Sequence, residues 1–259
     1  VLGSRPVAIQ SDPPPVEFDE RYDLGFVLEK EEATIGAELG VQRGVFTTEL
    51  LKRWKFAKKY VLCDVWQSLD NYRDKANVDN AQQEAIYNQA MSSMNVFRKR
   101  GVEIEVCRNL TVNCAEHYLD QTFDFIYIDA RHDFKGVYED LVKWWPKLKD
   151  GGIFAGHDYV TQSEGPSQNG QDWTKNYDGT VDETGTVVKG AVNKFATQLG
   201  LSVSVGRKEK SWPSWAIRKP VHSVSASEDL SQLNHVGGAK LVDAVSSSDR
   251  DTQNNVIPR

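Results

Sequence analysis

The feature that most constrains this chain is a regular alternation of short apolar segments and longer amphipathic segments between residues 35 and 218. Short apolar runs predict buried strands, and the stretches between them carry apolar residues at helical spacing. The predicted strands cover 35–39, 60–64, 102–106, 123–129, 153–156, 201–205 and 215–218, and the predicted helices cover 45–58, 79–100, 112–119, 137–148 and 187–199. We therefore expect an α/β fold of the Rossmann-like, doubly wound type, with a mostly parallel seven-stranded sheet and helices on both faces.

The composition changes at both ends of this alternating region. Residues 1–32 include a run of three prolines, and they predict an extended arm followed by a short helix. The domain itself is predicted at 33–219, with a long polar loop at 160–185, and loops of that length in a compact domain often carry function. Residues 220–259 are rich in serine and poor in apolar residues, which predicts a disordered tail.

Composition also excludes several classes of protein. Apolar residues make up 39% of the 259 positions, which is enough for one core but includes no stretch of the roughly 18 apolar residues that a membrane span needs. The formal net charge of -6 does not suit a protein that coats nucleic acid. We expect a small-molecule ligand and a cytoplasmic location, although the chain begins at Val1 and a targeting segment upstream stays open.

The three cysteines, Cys63, Cys107 and Cys114, fall inside or beside predicted core segments. Their number is odd, and no pair has the spacing of a zinc site. We expect reduced packing residues rather than a disulfide framework.

Ligands of such sheets bind beyond the carboxyl ends of the strands, so the residues that follow each strand matter most. The first strand runs into a glycine-containing turn at 38–44, where a ligand could approach the backbone closely. The spacing of this turn is not that of the nicotinamide dinucleotide fingerprint. Asp64 ends the second strand, where a carboxylate can accept hydrogen bonds from a ribose diol or can instead cap a helix or turn.

A longer pattern lies in the second half of the chain, with DFIYIDARHDF at 124–134, LKDGG at 148–152 and AGHDY at 155–159. Together with the turn at 38–44 and Asp64, it resembles the class I S-adenosylmethionine-dependent methyltransferases. Within that class it is similar to the families that O-methylate macrolide and aminocoumarin sugars. The resemblance covers residues 33–218.

This resemblance implies S-adenosylmethionine as the cofactor and a set of residues that bind it. The implied set is Glu38, Gly40, Gly44, Asp64, Val65, Trp66, Asn109, Leu110 and Asp129. In this assignment the first three face the methionine and ribose, Asp64 holds the ribose hydroxyls, and Asn109 and Leu110 lie near the adenine.

Transfer of a methyl group to a hydroxyl requires that the proton be removed, by a general base or with help from a metal ion. The resemblance implies a metal site at Asp129, His157 and Asp158, in which His157 replaces an aspartate of the family pattern. Magnesium suits carboxylates, and the histidine favours a softer divalent ion. Without a metal, His132 or His157 becomes the candidate base beside Asp129. His132 could also simply cap the helix that follows it.

Three aromatic residues after the fifth strand, Tyr159, Trp173 and Tyr177, are candidates for the walls of an acceptor site, or for residues that anchor the loop. We expect O-methylation of a small hydroxylated molecule such as a sugar or polyol. Methylation of nitrogen, sulfur or a protein side chain is the alternative within the class, and a catalytically inactive binding module is the alternative outside it. The resemblance also implies association of identical chains.

Overall fold

The computed structural model of the chain describes residues 14–221. Its strands are β1 (Ile35–Leu39), β2 (Lys59–Cys63), β3 (Glu103–Cys107), β4 (Phe123–Ile128), β5 (Leu148–Gly156), β6 (Ser204–Val205) and β7 (Trp215–Arg218). Its α-helices are α1 (Leu24–Lys30), α2 (Val45–Arg53), α3 (Asn80–Ser93), α4 (Asn95–Lys99), α5 (Thr111–Cys114), α6 (Phe134–Trp144) and α7 (Val187–Gln198). No helix in residues 14–221 has the length and apolar character that crossing a membrane requires.

All seven strands belong to one sheet, in the order β3-β2-β1-β4-β5-β7-β6. The pairs from β3 to β5 are parallel, and β7 runs antiparallel to both β5 and β6. The predicted seven-stranded, mostly parallel α/β sheet is therefore confirmed. Strand order reverses between β1 and β4, and a ligand crevice in this kind of sheet opens beyond the strand ends at such a point.

Large apolar side chains on both faces of the sheet form the core. Trp54, which follows α2, is fully buried and makes edge contacts with Tyr60 of β2 and Phe125 of β4. Its indole N–H donates to the carbonyl oxygen of Ala33 at 2.6 Å. Because this side chain turns inward, the backbone of Trp54 becomes extended, and α2 ends at Arg53 rather than at the predicted residue 58.

Other element boundaries also differ from the prediction. The helix predicted at 79–100 is divided at Met94 into α3 and α4. Helix α6 stops at Trp144, and a short 3-10 turn containing Pro146 follows it, since proline cannot donate a helical hydrogen bond. Strand β5 then begins at Leu148, five residues before its predicted start.

The segment before the first helix is packed, not an unattached arm, over the residues that the structure describes. Val16 and Phe18 are each 3% exposed. Asp19 pairs with Arg207 at 2.7 Å and with Lys208 at 2.6 Å. The predicted tail at 220–259 falls outside the described residues from 222 onward, so its disorder stays a prediction.

The expectation of three reduced cysteines is wrong. Cys107 at the end of β3 and Cys114 at the end of α5 form a disulfide, with their Cα atoms 5.9 Å apart. The chain turns back sharply between these two elements, and no sequence spacing reveals that approach. Cys63 is a free, buried thiol.

Thiol titration tests this disulfide directly. In denaturant without reductant, the chain is expected to show one reactive thiol, from Cys63, because the other two are bonded to each other. After reduction it is expected to show three. A double substitution of Cys107 and Cys114 by serine should lower the free energy of unfolding by about 2 kcal/mol, because the short loop is no longer closed. Three thiols without reductant would contradict the disulfide.

Candidate active site

A cavity of about 580 Å³ opens beyond the carboxyl ends of β1 to β4. Ten of the residues that the sequence singled out line it, namely Glu38, Gly40, Asp64, Val65, Asn109, Leu110, Asp129, His132, Asp158 and Trp173. They come from segments that are far apart in sequence, and the parallel sheet brings their strand ends to one edge. The volume lies within the usual range for a small-molecule site.

Glycine is required at position 40 because the chain segments that follow β1 and β4 approach each other closely there. Its φ angle is +86°, and a Cβ atom there would lie 2.0 Å from the carbonyl oxygen of Asp129. The two strand ends are also joined by a hydrogen bond of 2.7 Å from the amide of Asp129 to the carbonyl oxygen of Leu39. Glycine at this position therefore sets where Asp129 lies.

Asp64 fixes the turn that follows β1. Its Oδ2 atom accepts from the amides of Val41 and Gln42, each at 2.8 Å, and its Oδ1 atom accepts from the amide of Trp66 at 2.9 Å. Burial raises the pKa of Asp64, and these backbone hydrogen bonds oppose the rise. Both carboxylate oxygens of Asp64 therefore accept backbone hydrogen bonds, which hold its side chain in one orientation at the cavity wall.

Glu38 forms part of the cavity wall between β1 and α2. It is 2% exposed, and the hydroxyl of Thr47 donates to its Oε2 atom. Burial raises the pKa of Glu38 well above its ordinary value, against the effect of the bond from Thr47. This side chain is therefore suited to hydrogen bonding as a neutral acid.

His132 lies at the centre of a polar cluster on the far side of the cavity. Its Nε2 atom is 3.3 Å from Oδ1 of Asp129 and 3.2 Å from Oδ2 of Asp158. Its Nδ1 atom is 3.2 Å from Oδ2 of Asp74 and 3.0 Å from the hydroxyl of Tyr72. The imidazole thus connects three carboxylates.

The neighbours of His132 determine which nitrogen carries a proton. The hydroxyl of Tyr72 donates to the carbonyl oxygen of Ala130 at 3.0 Å, so its oxygen can only accept from His132. The ionised carboxylate of Asp74 can also only accept. Nδ1 therefore holds a hydrogen, and Nε2 is the atom that faces the two carboxylates of the cavity.

The cluster favours a positive charge between its acids. Burial alone would lower the pKa of His132, but Asp129 and Asp74 outweigh it and hold this pKa well above its usual value. Burial would raise the pKa of Asp129, but His132 and His157 lower it. Helix α6 is capped by Asp133, which accepts from the amide of Gly136 at 3.0 Å, so His132 is not the cap.

His157 does not line the main cavity. Its Nδ1 atom is 2.9 Å from Oδ1 of Asp158 and 3.8 Å from Oδ2 of Asp129, and it borders a small separate void beside Trp215. In the part of the chain that the structure describes, the ligand atoms that lie within 4.8 Å of one another come from Asp129, His132 and Asp158. The geometry thus brings His132 together with the two aspartates inside the cavity, while His157 contacts the same two aspartates from outside the cavity lining.

Two other predicted cofactor residues lie behind the cavity wall. Gly44 precedes α2 with a φ angle of +72° and shapes the start of that helix. Trp66 is 1% exposed, and its indole N–H donates to the carbonyl oxygen of Gln42 at 2.9 Å. Its contribution is to support the turn after β1.

Two of the three predicted acceptor-side aromatics also point elsewhere. The hydroxyl of Tyr159 bonds to Asn193 of α7. Tyr177 is 41% exposed and lies against the guanidinium of Arg131. Trp173 does line the cavity, with its ring centre 4.3 Å from that of His132.

Several cavity residues were missed by the sequence analysis, chiefly Arg21, Tyr72, Asp74 and Trp212. Asp74 accepts from the indole N–H of Trp173 at 2.7 Å, and the ring of Trp212 lies 5.5 Å from that of Trp173. All four lie outside the α-helices and the sheet, where periodicity gives no signal. The sequence signal for this side of the cavity was the long polar loop at 160–185.

Comparisons with known proteins agree with this geometry. Residues 37–159 match the model of a family described as a methyltransferase domain. A Staphylococcus aureus protein assigned as a caffeoyl-CoA O-methyltransferase superposes with a TM-score of 0.51 at 13% identity, over 79% of this chain and 85% of that one. An O-methyltransferase family protein from Burkholderia thailandensis gives 0.51 at 14% identity, over 77% and 55% of the two chains. The cofactor-bound Rv0187 from MTB gives 0.50 at 14%, over 80% and 82%.

A comparison with curated protein sequences gives no match. At these identities the solved structures establish the fold, and residues 37–159 are similar to a methyltransferase domain. Both findings agree with the class I methyltransferase fold that the motifs predicted.

Proposed function

We propose that this enzyme uses S-adenosylmethionine to methylate a hydroxyl group of a small ring-shaped molecule such as a sugar or polyol. The observation that carries the proposal is the position of the cluster of Asp129, His132 and Asp158. It opens onto the same cavity that Glu38, Gly40 and Asp64 line at the switch in strand order. Cofactor and acceptor groups would therefore meet within one enclosed space.

The order of polar residues along the sheet edge matches the order of groups in the cofactor. Asn109 and Leu110 follow β3, Asp64 follows β2, and Glu38 and Gly40 end β1. In the proposed arrangement, adenine lies at β3 and the ribose diol bonds to the carboxylate of Asp64. The sulfonium then lies between β1 and β4, next to Asp129. Val65 lines the same cavity and would border the adenosine.

The reaction needs one proton to leave the acceptor. The acceptor oxygen attacks the methyl carbon, the carbon–sulfur bond breaks, the thioether keeps that electron pair, and the hydroxyl proton passes to a base. Asp129 is the candidate base, because its carboxylate lines the cavity next to the proposed position of the sulfonium. Burial would raise its pKa, but His132 and His157 lower it, which keeps the carboxylate ionised and able to accept a proton. His132 would stabilise the negative charge of Asp129 through the contact of its Nε2 atom with that carboxylate.

The same cluster fits a divalent metal ion. Asp129, His132 and Asp158 offer two carboxylate oxygens and one imidazole nitrogen close together, and the two acids that flank Nε2 need a cation between them. Such a mixed set suits manganese, iron or zinc as well as magnesium. When bound, the ion would lower the pKa of the acceptor hydroxyl. The set proposed from the geometry contains His132 in place of the predicted His157.

Flat side chains support a ring-shaped acceptor. Trp173 and Trp212 form an aromatic corner beside His132, and Tyr72 borders the same space. Aromatic faces pack against the apolar faces of sugar rings, while the cluster is placed to bind their hydroxyls.

Calorimetric titration with S-adenosylhomocysteine tests the proposal, first with manganese or magnesium and then with a chelator. Binding in both conditions, with methyl transfer to hydroxylated acceptors only when metal is present, is the expected result. Absence of binding at high micromolar concentration would overturn the proposed function. Full activity in chelator would instead favour Asp129 acting as the base without a metal ion, or methylation of nitrogen or sulfur.

Two remaining expectations stay predictions. Association of identical chains rests on the sequence resemblance alone. A cytoplasmic location is weakened by the disulfide between Cys107 and Cys114, because such bonds persist chiefly in oxidising compartments.

A further inference from the structure

Arg21 reaches the cavity from the segment that precedes α1, outside every motif identified in the sequence. It lies in a short 3-10 turn, Arg21–Asp23, and its backbone amide donates to Oε1 of Glu209 at 3.0 Å. Asp19, two residues earlier, is paired with Arg207. The segment is therefore held in place from both directions and delivers a guanidinium to the cavity wall.

The guanidinium of Arg21 is only partly used by its neighbours. Its Nη2 atom donates to the hydroxyl of Tyr22 at 3.2 Å. Its Nη1 atom lies 3.9 Å from Oδ2 of Asp129, which is an ion pair but too long for a hydrogen bond. The side chain is 25% exposed, and a guanidinium carries five N–H donors. Donors therefore stay available to a ligand in the cavity.

The place of Arg21 along the sheet edge indicates which part of a ligand it meets. It lines the cavity together with Glu38 at the end of β1 and Asp129 at the end of β4, whereas Asn109 lies two strands further, beyond β3. In the proposed cofactor arrangement, adenine occupies the β3 side. The amino-acid end then reaches the side of β1 and β4, where the guanidinium is.

The charges at this position complement a zwitterion. An α-amino acid carries one carboxylate and one ammonium group, separated by a single carbon atom. Arg21 and Asp129 present one cation and one anion 3.9 Å apart on the same wall. Arginine binds carboxylates through two parallel N–H donors, which adds geometric specificity to the charge.

We propose that Arg21 binds the α-carboxylate of the cofactor's amino-acid end. The inference rests on the proposed function, because it requires that this cavity holds S-adenosylmethionine. It adds a binding residue from the N-terminal segment, so the site includes a contribution from outside the β1–β5 region. The neighbouring carboxylate of Asp129 would face the ammonium group.

Three ligands that differ by single groups test the assignment. S-adenosylhomocysteine has the complete amino-acid end, S-adenosyl-3-thiopropylamine lacks only the carboxylate, and 5′-methylthioadenosine lacks the whole end. In R21Q, the affinity for S-adenosylhomocysteine should fall about 10- to 100-fold, as expected when a charge-assisted hydrogen bond is lost. The affinities for the other two ligands should change by less than about threefold, because they lack the carboxylate that Arg21 is proposed to bind. R21K should recover part of the loss, because lysine keeps the charge without the fork.

Arg53 offers a matched control. Its guanidinium also lies over the ring of Tyr22, at 5.6 Å against 5.1 Å for Arg21, but it bonds to Glu49 and does not line the cavity. R53Q should therefore leave the affinity for all three ligands unchanged.

The possible outcomes separate the inference from the function on which it rests. An equal loss of affinity for all three ligands in R21Q, or no loss for any, would overturn the assignment while leaving the cofactor in place. A loss shared by S-adenosylhomocysteine and the thiopropylamine would show that Arg21 does not read the carboxylate. Failure of the unmodified chain to bind S-adenosylhomocysteine would overturn both proposals together.

Discussion

Replacing Asp129 with asparagine is expected to lower the turnover number by about 10²- to 10⁴-fold, the range that loss of a positioned general base produces. Asparagine keeps the size of the side chain and an oxygen that can face His132, but it cannot accept the proton of the acceptor. The change also removes one charged ligand from the proposed metal set. Affinity for S-adenosylhomocysteine should also fall, because Asp129 is proposed to face its ammonium group, but by less than the turnover number, since the ribose and adenine contacts lie at Asp64 and Asn109.

The measurement uses S-adenosylmethionine labelled in its methyl group and a panel of sugars and polyols, and the acceptor with the highest turnover then serves for both forms. A matched control is D79N. Asp79 caps α3 through the amide of Gln82 and lies outside the cavity lining, and asparagine caps helices equally well. D79N is expected to keep full turnover. If D129N also kept full turnover, Asp129 would not be the base.

Much of the fold follows from sequence because the period of apolar residues changes between strand and helix. Phe123, Phe125 and Ile126 are fully buried in β4, and residues 102–106, which alternate in sequence, lie mostly in the partly covered strand β3. What the pattern does not contain is the direction of a single side chain such as that of Trp54, which decides where α2 ends.

The residues of the candidate site also divide into those that the sequence predicted and those that it did not. Residues at strand ends, such as Glu38, Asp64 and Asp129, were predicted because parallel strands place their carboxyl ends at one edge. Arg21 and Asp74 were not predicted, since they come from irregular segments whose paths depend on tertiary contacts alone. Asp74 becomes recognisable only once its bonds to His132 and Trp173 are known.

The sequence pattern could not decide whether His132 or His157 faces the cavity, and the reason is physical. His157 and Asp158 follow the end of β5, and of these two residues Asp158 lines the cavity. Asp158 has a φ angle of +55° and turns toward His132, which leaves His157 behind it. A family pattern that pairs two adjacent acids cannot reveal this, because it records residue types without backbone angles.

Replacing Gly40 with alanine is expected to have the largest effect on both stability and the site. The new Cβ atom would lie 2.0 Å from the carbonyl oxygen of Asp129 and 2.5 Å from the Cα atom of Ala130, so the ends of β1 and β4 must separate. The left-handed conformation at φ +86° adds a cost of about 1–3 kcal/mol for a residue with a side chain. We expect a loss of at least about 3 kcal/mol, or about 6–12 °C in melting temperature for a domain of this size.

The variant G101A separates the conformational cost from the steric clash. The φ angle of Gly101 is +95°, but a Cβ atom there would meet nothing within 4 Å. G101A should therefore show only the same conformational cost, about 1–3 kcal/mol, and should leave the affinity for S-adenosylhomocysteine unchanged. G40A should lose that affinity together with stability, because Asp129 and the turn after β1 move apart. Equal melting temperatures for the two variants would show that the strand ends absorb the extra atom. The position of Asp129 would then not depend on Gly40.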